Sequence, residues 1–373
     1  MGGGFNLGKV FGIQVRLHFT WFIIFFLVTI SLSWQFFPAS YPGWNQSLYW
    51  VIGIITSLLF FASVLAHELA HSLVGRVNGI PIKSITLFIF GGIAQMTKEA
   101  TKAGAELKMA IAGPACSLVL GGIFALLWWL TRGVIEPVAA MAFWLAWINV
   151  VLAVFNMIPG FPLDGGRVFR SLVWRFTGNY QRATRIATRL GQGVAYAFIL
   201  GGILIMFLLQ EWLGGLWIIF IGWFLQYAAS ISYRQAQQRE ALHGFTAAQV
   251  MTSDYMAIPS NITVSQLVQE HVLFKGHRLF LVTDAGEVRG MVTMHHIKSV
   301  PQSNWDMTPV EKIMVPADQL KVVRPEQDAL SVLEQMDEND INQMPVVNER
   351  RVIGLITRDN LARFLRTRAE LRV

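Results

Sequence analysis

The sequence predicts a multi-domain protein: a polytopic α-helical membrane domain with about six transmembrane helices, followed by an α/β domain. Of its 373 residues, 54% are hydrophobic and only 14% are charged, which is unlike a soluble protein of this size. Long apolar runs account for this balance, and they stop near residue 236. Beyond that point charged residues become frequent and a sequence pattern occurs twice. We therefore expect domains at 1–236 and 237–373.

Six apolar runs define the expected transmembrane helices. A helix needs about 20 apolar residues to cross the hydrocarbon core, and the runs come close to that length. The first is too long, and has the wrong flanks, for a cleaved signal peptide, so it is interpreted as a retained span. The runs are Leu17–Phe37, Leu48–Val74, Met109–Leu130, Val138–Ile158, Gly191–Leu209 and Trp212–Ile231.

The distribution of charge predicts the orientation of these spans. Residues 1–236 hold 15 Lys and Arg against 6 Asp and Glu, whereas residues 237–373 hold 15 against 17. The basic residues occupy alternate loops, and Arg132 is the only one in the intervening loops. Because cytoplasmic loops carry the positive excess, both termini are expected in the cytoplasm. We expect a multi-pass protein in contact with the lipid bilayer of a prokaryotic cell membrane, and no nucleic-acid partner.

The second domain consists of two repeated units, at about 245–302 and 307–368. The segment Val288–Thr293 recurs 64 positions later as Val352–Thr357. Each unit has the pattern helix, strand, helix, strand, strand, helix, with an apolar central strand. A unit of this size is too small for a good core of its own, so the two units are expected to pack against one another.

The sequence His67-Glu68-Leu69-Ala70-His71 is an H-E-x-x-H motif in the second apolar run. The spacing i, i+4 puts both imidazoles on one face of a helix, where they can hold one zinc ion. Glu68 lies beside them, where it can take a proton from water. A chance match or a polar helix interface are the alternatives. They are disfavoured because ionisable residues inside a span cost several kcal/mol unless they are paired or bound to metal.

A catalytic zinc needs a third protein ligand, and Asp164 is the candidate. It is one of only six acidic residues in 1–236. Pro159 and Pro162 cannot continue a regular helix, so the fourth span should break and present Asp164 on irregular backbone. The alternative is that Asp164 caps the helix that follows it. The second and fourth spans run inward and reach their motifs near their cytoplasmic ends, so the two motifs should meet.

These two motifs resemble those of the site-2 protease family of intramembrane zinc metalloproteases. The resemblance is carried by His67-Glu68-x-x-His71 together with Asn156-x-x-Pro159-x-x-x-x-Asp164-Gly165. It implies one zinc ion per chain on His67, His71 and Asp164, with Glu68 as general base. It also implies that Asn156 orients substrate or stabilises the oxyanion. The implied activity is cleavage of transmembrane segments of membrane-anchored protein substrates, in regulated intramembrane proteolysis.

The repeated domain resembles a tandem pair of cystathionine-β-synthase (CBS) domains, because both units end in Gly-x-x-Thr. The resemblance implies an adenine nucleotide (ATP, ADP or AMP) near Thr357 and Asp359, and through it regulation of cleavage. The first unit departs from the pattern, since Thr293 is followed by His295 where the acid would stand. His295 and His296 are candidates for contact with phosphate. A nucleotide-free pair that serves dimerisation or gating is the alternative, and a homodimer through these domains is expected.

Three further features carry weaker expectations. The apolar stretch Leu87–Gln95 could offer a strand edge to unwound substrate, or it could form an interfacial hairpin with no such role. Gly113-Pro114 is expected to open the third span, either as a simple helix start or as the Gly-Pro feature of the family. His18 is expected in the first span with a structural role.

A second function from another class remains open at this point. A CBS-regulated transporter of metal or other ions could use His67, His71 and Asp164 as its transport site. Glu68 discriminates between the two functions, because transport has no need of a general base beside the histidines.

Overall fold

The chain divides into two compact units, Met1–Ala236 and Gln237–Val373, which are described separately. The computed structural model describes residues 4–89, 91–96, 100–274, 277–284, 287–339, 341–349 and 351–371. Phe90, in the expected apolar strand, and Lys98, in a basic loop, lie outside these residues.

Among the described residues of the first unit, six helices are long and apolar enough to span a membrane, which confirms the predicted fold class. Most of their side chains face away from the protein interior, as apolar side chains in contact with lipid do. A seventh, short helix (α5) lies between the fourth and the fifth span. The helices are α1 (Thr20–Ser40), α2 (Gln46–Val77), α3 (Ala103–Thr131), α4 (Glu136–Asn156), α5 (Asp164–Thr177), α6 (Tyr180–Leu208) and α7 (Trp212–Leu242, its spanning part Trp212–Arg234).

Three of the expected helix starts are wrong, and the largest difference is in the fifth span, which begins at Tyr180 rather than Gly191. The first span begins at Thr20 rather than Leu17, and His18 ends a strand, with its Nδ1 atom 2.8 Å from the hydroxyl of Thr20. The third span begins at Ala103, so Gly113 and Pro114 lie well inside α3 instead of opening it. The first start was predicted too early because the apolar end of β2 precedes the helix directly, and the other two were predicted too late because those helices open with polar residues.

A four-stranded sheet packs beside the second span. The strands are β1 (Gly4–Val10), β2 (Ile13–His18), β3 (Ile82–Phe88) and β4 (Gly91–Met96), in the order β1-β2-β3-β4. β2 and β3 are parallel, and the other pairs are antiparallel. Ile13, Ile85 and Leu87 form a buried cluster with Val64 of α2. The sheet is thereby fixed against the helix of the H-E-x-x-H motif, and among the described strands β1 and β4 form its two edges.

The break between α4 and α5 is packed tightly by glycines. A Cβ atom on Gly160 would lie 2.5 Å from the Cα atom of Gly191 in α6. A Cβ atom on Gly191 would in turn lie 2.7 Å from the backbone nitrogen of Phe161. Such distances are far inside van der Waals contact, so only glycine allows this approach. The irregular segment is therefore clamped against α6, and the first residue of α5 has a fixed position.

The second unit contains two β-α repeats with a shared interface. Its helices are α8 (Ala247–Val250), α9 (Val264–Gln266, continued as a π-helix over Leu267–Leu273), α10 (Met294–Lys298), α11 (Ala329–Asn339) and α12 (Arg358–Leu371). Its strands are β5 (Met256–Pro259), β6 (Leu279–Asp284), β7 (Glu287–Thr293), β8 (Val315–Pro316), β9 (Gln343–Asn348) and β10 (Arg351–Thr357).

The two repeats exchange strand partners and bury a common cluster. β8 follows the first repeat in sequence and pairs with β7, while Thr252 bridges Leu355 in β10. Leu281 and Met291 pack with Leu355 in one buried cluster. The first strand of the second repeat is reduced to a single parallel bridge between Val323 and Val346, which differs from the expected pattern.

The packing of α6 on α7 yields a stability prediction. A Cβ atom on Gly215 would lie 2.6 Å from the carbonyl oxygen of Gly202, so Gly215→Leu should separate the two helices. Overpacking of this kind costs about 1–3 kcal/mol, and we expect Tm in detergent to fall by several degrees. Gly214→Leu is the matched control, because a Cβ atom there meets nothing within 4 Å. Equal Tm values for the two variants would contradict this packing.

Candidate metal centre and nucleotide cavity

Three side chains converge on one point inside the first unit. Asp164 Oδ2 lies 3.2 Å from His67 Nε2 and 3.0 Å from His71 Nε2, and the two Nε2 atoms are 3.1 Å apart. All three side chains are largely buried. In the part of the chain that the structure describes, this is the group of three acidic or histidine side chains with ligand atoms close enough for one metal ion.

The local structure of α2 and α3 explains how the imidazoles are aimed. His67 and His71 are one turn apart on α2, so their rings lie on the same face. The Nδ1 atom of His71 donates to the carbonyl of Met109 over 2.7 Å, and that of His67 lies 2.9 Å from the hydroxyl of Ser117. With Nδ1 engaged by α3, each ring directs Nε2 toward Asp164, the arrangement that orients metal-binding histidines.

Asp164 reaches the cluster from the first position of α5. The N-cap of this helix is Leu163, and no side chain caps it, so the interpretation of Asp164 as the cap is wrong. Its carboxylate is directed at the histidines instead. The position is still electrostatically favourable, because the positive end of the helix dipole stabilises a carboxylate in the first turn.

A buried ion pair that the sequence did not indicate holds α5 to α3. Arg170 donates to Oε1 of Glu106, and both side chains are almost inaccessible to solvent. The guanidinium also lies 4.7 Å from the ring centroids of Phe161 and Tyr180. Removal of one partner from such a pair leaves a buried charge and is strongly destabilising. The pair therefore links the helix of Asp164, the segment before it and the helix behind the histidines.

The three donors fit a zinc ion. Zinc–nitrogen and zinc–oxygen bonds of about 2.0–2.1 Å in a tetrahedral site place the donors roughly 3.3 Å apart, close to the 3.0–3.2 Å between these atoms. When His71 is neutral, donation from its Nδ1 to a carbonyl leaves a lone pair on Nε2, and this lone pair faces a carboxylate oxygen. Such lone pairs repel unless a cation lies between them. Two imidazoles and one carboxylate are typical ligands of a catalytic zinc with an open position.

Glu68 and Asn156 line the same cavity, which has a volume of about 200 Å³. A Cβ atom on Gly92 of β4 would lie 2.8 Å from Cδ of Glu68, so the backbone of the edge strand passes directly over the glutamate. Asn156 ends α4, and its Nδ2 donates to the carbonyl of Leu152 over 2.9 Å. The cavity thus joins the three donors, a carboxylate and a strand edge.

A larger cavity, of about 610 Å³, lies between the two repeats of the second unit. It brings together Thr357 and Asp359 at the start of α12 and Thr293 and His295 at the start of α10. The hydroxyl of Thr357 accepts from the backbone N–H of Asn360 at 3.1 Å, so this residue also caps α12. Basic side chains contribute as well: Arg278, Arg358 and Arg363.

His296 is not among the residues that line this cavity. Its Nδ1 accepts from the backbone N–H of Thr293 over 3.3 Å and completes a capping box at α10. Burial and the charge of His295 hold the pKa of His296 below its usual range. It is therefore neutral near pH 7 and serves as a cap, so the expectation of a phosphate contact from His296 is wrong, while His295 remains at the cavity.

The fold and the metal centre define a class of protein, a zinc metalloprotease embedded in the membrane. A model of peptidase family M50 matches residues 55–136 and 133–200, and a CBS domain model matches residues 247–302 and 310–367. The chain belongs to peptidase family M50, the family of the site-2 proteases, and it carries a tandem CBS pair.

Named relatives agree with this family. A protein of Synechocystis sp. named as a zinc metalloprotease is 38% identical over 99% of this chain and 97% of its own. A protein of Mycobacterium tuberculosis named as the zinc metalloprotease Rip3 is 34% identical to this chain. The alignment covers 96% of this chain and 92% of that protein. The solved structure of a site-2 protease from Methanocaldococcus jannaschii is 28% identical in sequence to this chain. The match covers 62% of this chain and 95% of the chain in that structure, with a TM-score of 0.43. The names of the Synechocystis and Mycobacterium relatives favour the protease over the transporter.

The close approach of α3 to the histidines yields a prediction about zinc. A Cβ atom on Gly113 would lie 2.6 Å from Nε2 of His67 and would also clash with His71. Gly113→Ala should therefore displace the imidazoles and weaken zinc binding by about 10–100-fold, the usual effect of disturbing the support of a metal ligand. Competition with a chelator measures this affinity.

Gly122→Ala is the control for that experiment. It lies on the same helix, has the same gain in helix propensity, and a Cβ atom there meets nothing within 4 Å. If both variants hold zinc as tightly as the wild type, the described packing of α3 on the histidines is incorrect.

Proposed function

We propose that this chain hydrolyses peptide bonds in transmembrane segments of membrane-anchored proteins, with one zinc ion on His67, His71 and Asp164. The observation that carries the proposal is the shared cavity. It places Glu68 beside three convergent donors and beneath β4, which is an edge strand of the sheet. A metal ion, a base and a site for extended peptide are what hydrolysis of an unwound helix needs.

The residues of the cavity have separate roles in this proposal. Zinc, when bound, acidifies a water molecule and polarises the carbonyl group of the peptide. Glu68 takes the proton of the attacking water and later delivers a proton to the leaving nitrogen. Asn156, at the rim of the same cavity, orients the substrate backbone. Met109 and Ser117 hold the imidazoles so that the ligands do not reorganise during the reaction.

The edge strand β4 supplies the proposed substrate-binding site. Among the described strands, β4 pairs with β3 alone, so one row of its backbone N–H and C=O groups has no strand partner. An extended peptide can add to such an edge by main-chain hydrogen bonds. A helical substrate must first unwind, because its amides are already hydrogen-bonded. The close approach of Gly92 to Glu68 supports a position for the added peptide near the base.

We further propose that the metal centre faces the cytoplasmic side, where water reaches it. His67 and His71 lie in the C-terminal third of α2 and Asp164 follows the end of α4, and the basic loops follow the same two ends. Positive loops mark the cytoplasmic side, and six spans put both termini there. Named relatives from bacteria and an archaeon support a prokaryotic cell membrane.

For the second unit we propose regulation by an adenine nucleotide. Support comes from the cavity of about 610 Å³, from its arginines, and from Thr357 and Asp359 at its wall. A nucleotide changes cleavage only if it binds two arrangements of the protein unequally.

The proposed domains are 1–236 and 237–373, with repeats at about 245–302 and 307–368. A homodimer through the CBS pair, with or without nucleotide, remains a proposal.

The first prediction of this proposal concerns Glu68. Glu68→Gln keeps the shape of the side chain but removes the base, so cleavage of a single-span substrate should fall by about 10²–10⁴-fold. Zinc content should stay at the wild-type level. Glu211→Gln, an exposed acid between α6 and α7, is the control and should cleave normally. Wild-type cleavage by Glu68→Gln would exclude the proposed mechanism.

The second prediction concerns the nucleotide cavity. Asp359→Asn removes the charged acceptor for ribose hydroxyls, so the affinity for ATP, ADP or AMP should fall by about 10–100-fold, the equivalent of roughly 1.5–3 kcal/mol. Calorimetric titration of the full chain measures this. Asp318→Asn, an exposed acid that does not line the cavity, should bind as the wild type does. Absence of binding by the wild type would leave the nucleotide-free pair as the better interpretation.

A further inference from the structure

Arg167 is the one arginine or lysine among the described residues that line the catalytic cavity. It lies on α5 three positions after Asp164, so the two side chains are on the same face of that helix, with their Cβ atoms about 5–6 Å apart. Because Asp164 contacts both histidines, the side chain of Arg167 leaves α5 one helical turn from a residue of the proposed metal site. Neither the family motifs nor the cavity's proposed roles use it.

The donors of Arg167 are almost uncommitted. Its one polar contact among the described residues is from Nη1 to Sδ of Met96 over 3.5 Å, and a thioether is a weak acceptor. In the same part of the chain it forms no direct ion pair with a carboxylate, although it lies close enough to Glu68 in the same cavity for an electrostatic interaction. A half-buried guanidinium with free donors is costly unless another group accepts from it.

Arg170, the next arginine on α5, differs from Arg167 in its contacts. Arg170 lies one turn further along α5 and is committed to Glu106 and to two aromatic rings. Arg170 therefore has a structural task, whereas Arg167 points into the cavity. The contact with Met96 also places its guanidinium at the end of β4, where a peptide added to the strand edge would pass.

Asn156 is less suited than Arg167 to stabilise an oxyanion. Its Nδ2 already donates to the carbonyl of Leu152 in the preceding turn, which leaves one amide hydrogen for the cavity. An amide is also neutral, whereas a hydrogen bond from a charged donor to an anion is about twice as strong as a neutral one.

We propose that Arg167 donates a hydrogen bond to the carbonyl oxygen of the scissile peptide and stabilises the negative charge that develops on it. When water adds, a C–O bond forms, the carbonyl π electrons move to this oxygen, and Glu68 receives the proton. The C–N bond then breaks, the carbonyl re-forms, and the proton passes from Glu68 to the leaving nitrogen. This inference rests on the proposed function, since it needs peptide hydrolysis at this cavity.

Steady-state kinetics of the full chain in detergent, with a fluorogenic single-span substrate, test the inference. In Arg167→Gln, kcat should fall by about 100-fold or more, the usual loss for one oxyanion donor, while KM changes little. Arg167→Lys should recover part of kcat, because an ammonium keeps the charge but lacks the planar fork. Zinc content should match the wild type in both variants, and Arg175→Gln, an exposed arginine on the same helix, should cleave normally.

A second measurement separates an oxyanion donor from a residue that only supports the site. A peptide phosphinate resembles the tetrahedral intermediate, so its inhibition constant in Arg167→Gln should rise by the factor by which kcat/KM falls. A rise in KM with unchanged kcat, or loss of zinc in both variants, would overturn the inference. If Arg167→Gln has wild-type kinetics while Glu68→Gln is inactive, this inference alone fails. If Glu68→Gln is active, the proposed function fails.

Discussion

The convergence of His67, His71 and Asp164 is the constraint on which the rest of the membrane unit depends. Three ligand atoms within 3.2 Å of one another repel unless a cation lies among them. Their burial among transmembrane helices raises that cost, because solvent cannot screen them. A zinc ion bound there would offset the repulsion, and the surrounding protein would keep the three donors in place.

Several independent features serve that positioning. The carbonyl of Met109 and the hydroxyl of Ser117 fix the rings from behind, and they belong to α3, which approaches closely at Gly113. On the other side, tight glycine packing and the buried pair of Arg170 with Glu106 hold α5 and the segment before it. The sheet then sets β4 over Glu68. The metal centre is thus a junction of α2, α3 and α5.

The sequence predicted much of this and missed the supports. Six spans followed from apolar runs, and the candidate ligands followed from their spacing and from the rarity of acids in 1–236, because burying charge in a membrane requires a function. Gly113 was singled out only as part of a Gly-Pro pair whose contact partner stayed unknown, and the pair of Arg170 with Glu106 left no such signal. Their partners are about 40 to 60 residues away in sequence, and a single glycine, arginine or glutamate is ordinary until packing shows what it touches. The role proposed for Arg167 likewise depends on the absence of a hydrogen-bonded carboxylate at its guanidinium, which only a structure shows.

The central claim is that one zinc ion is bound by two imidazoles and one carboxylate at the cavity that holds Glu68. Zinc K-edge X-ray absorption on the purified full chain tests it directly. The account predicts one zinc per chain with about two nitrogen ligands showing imidazole scattering, the remaining ligands oxygen, all at about 2.0–2.1 Å. A sulfur ligand from Cys116, a shell of oxygen atoms without imidazole, or an unchanged spectrum after His67→Ala and His71→Ala would contradict it.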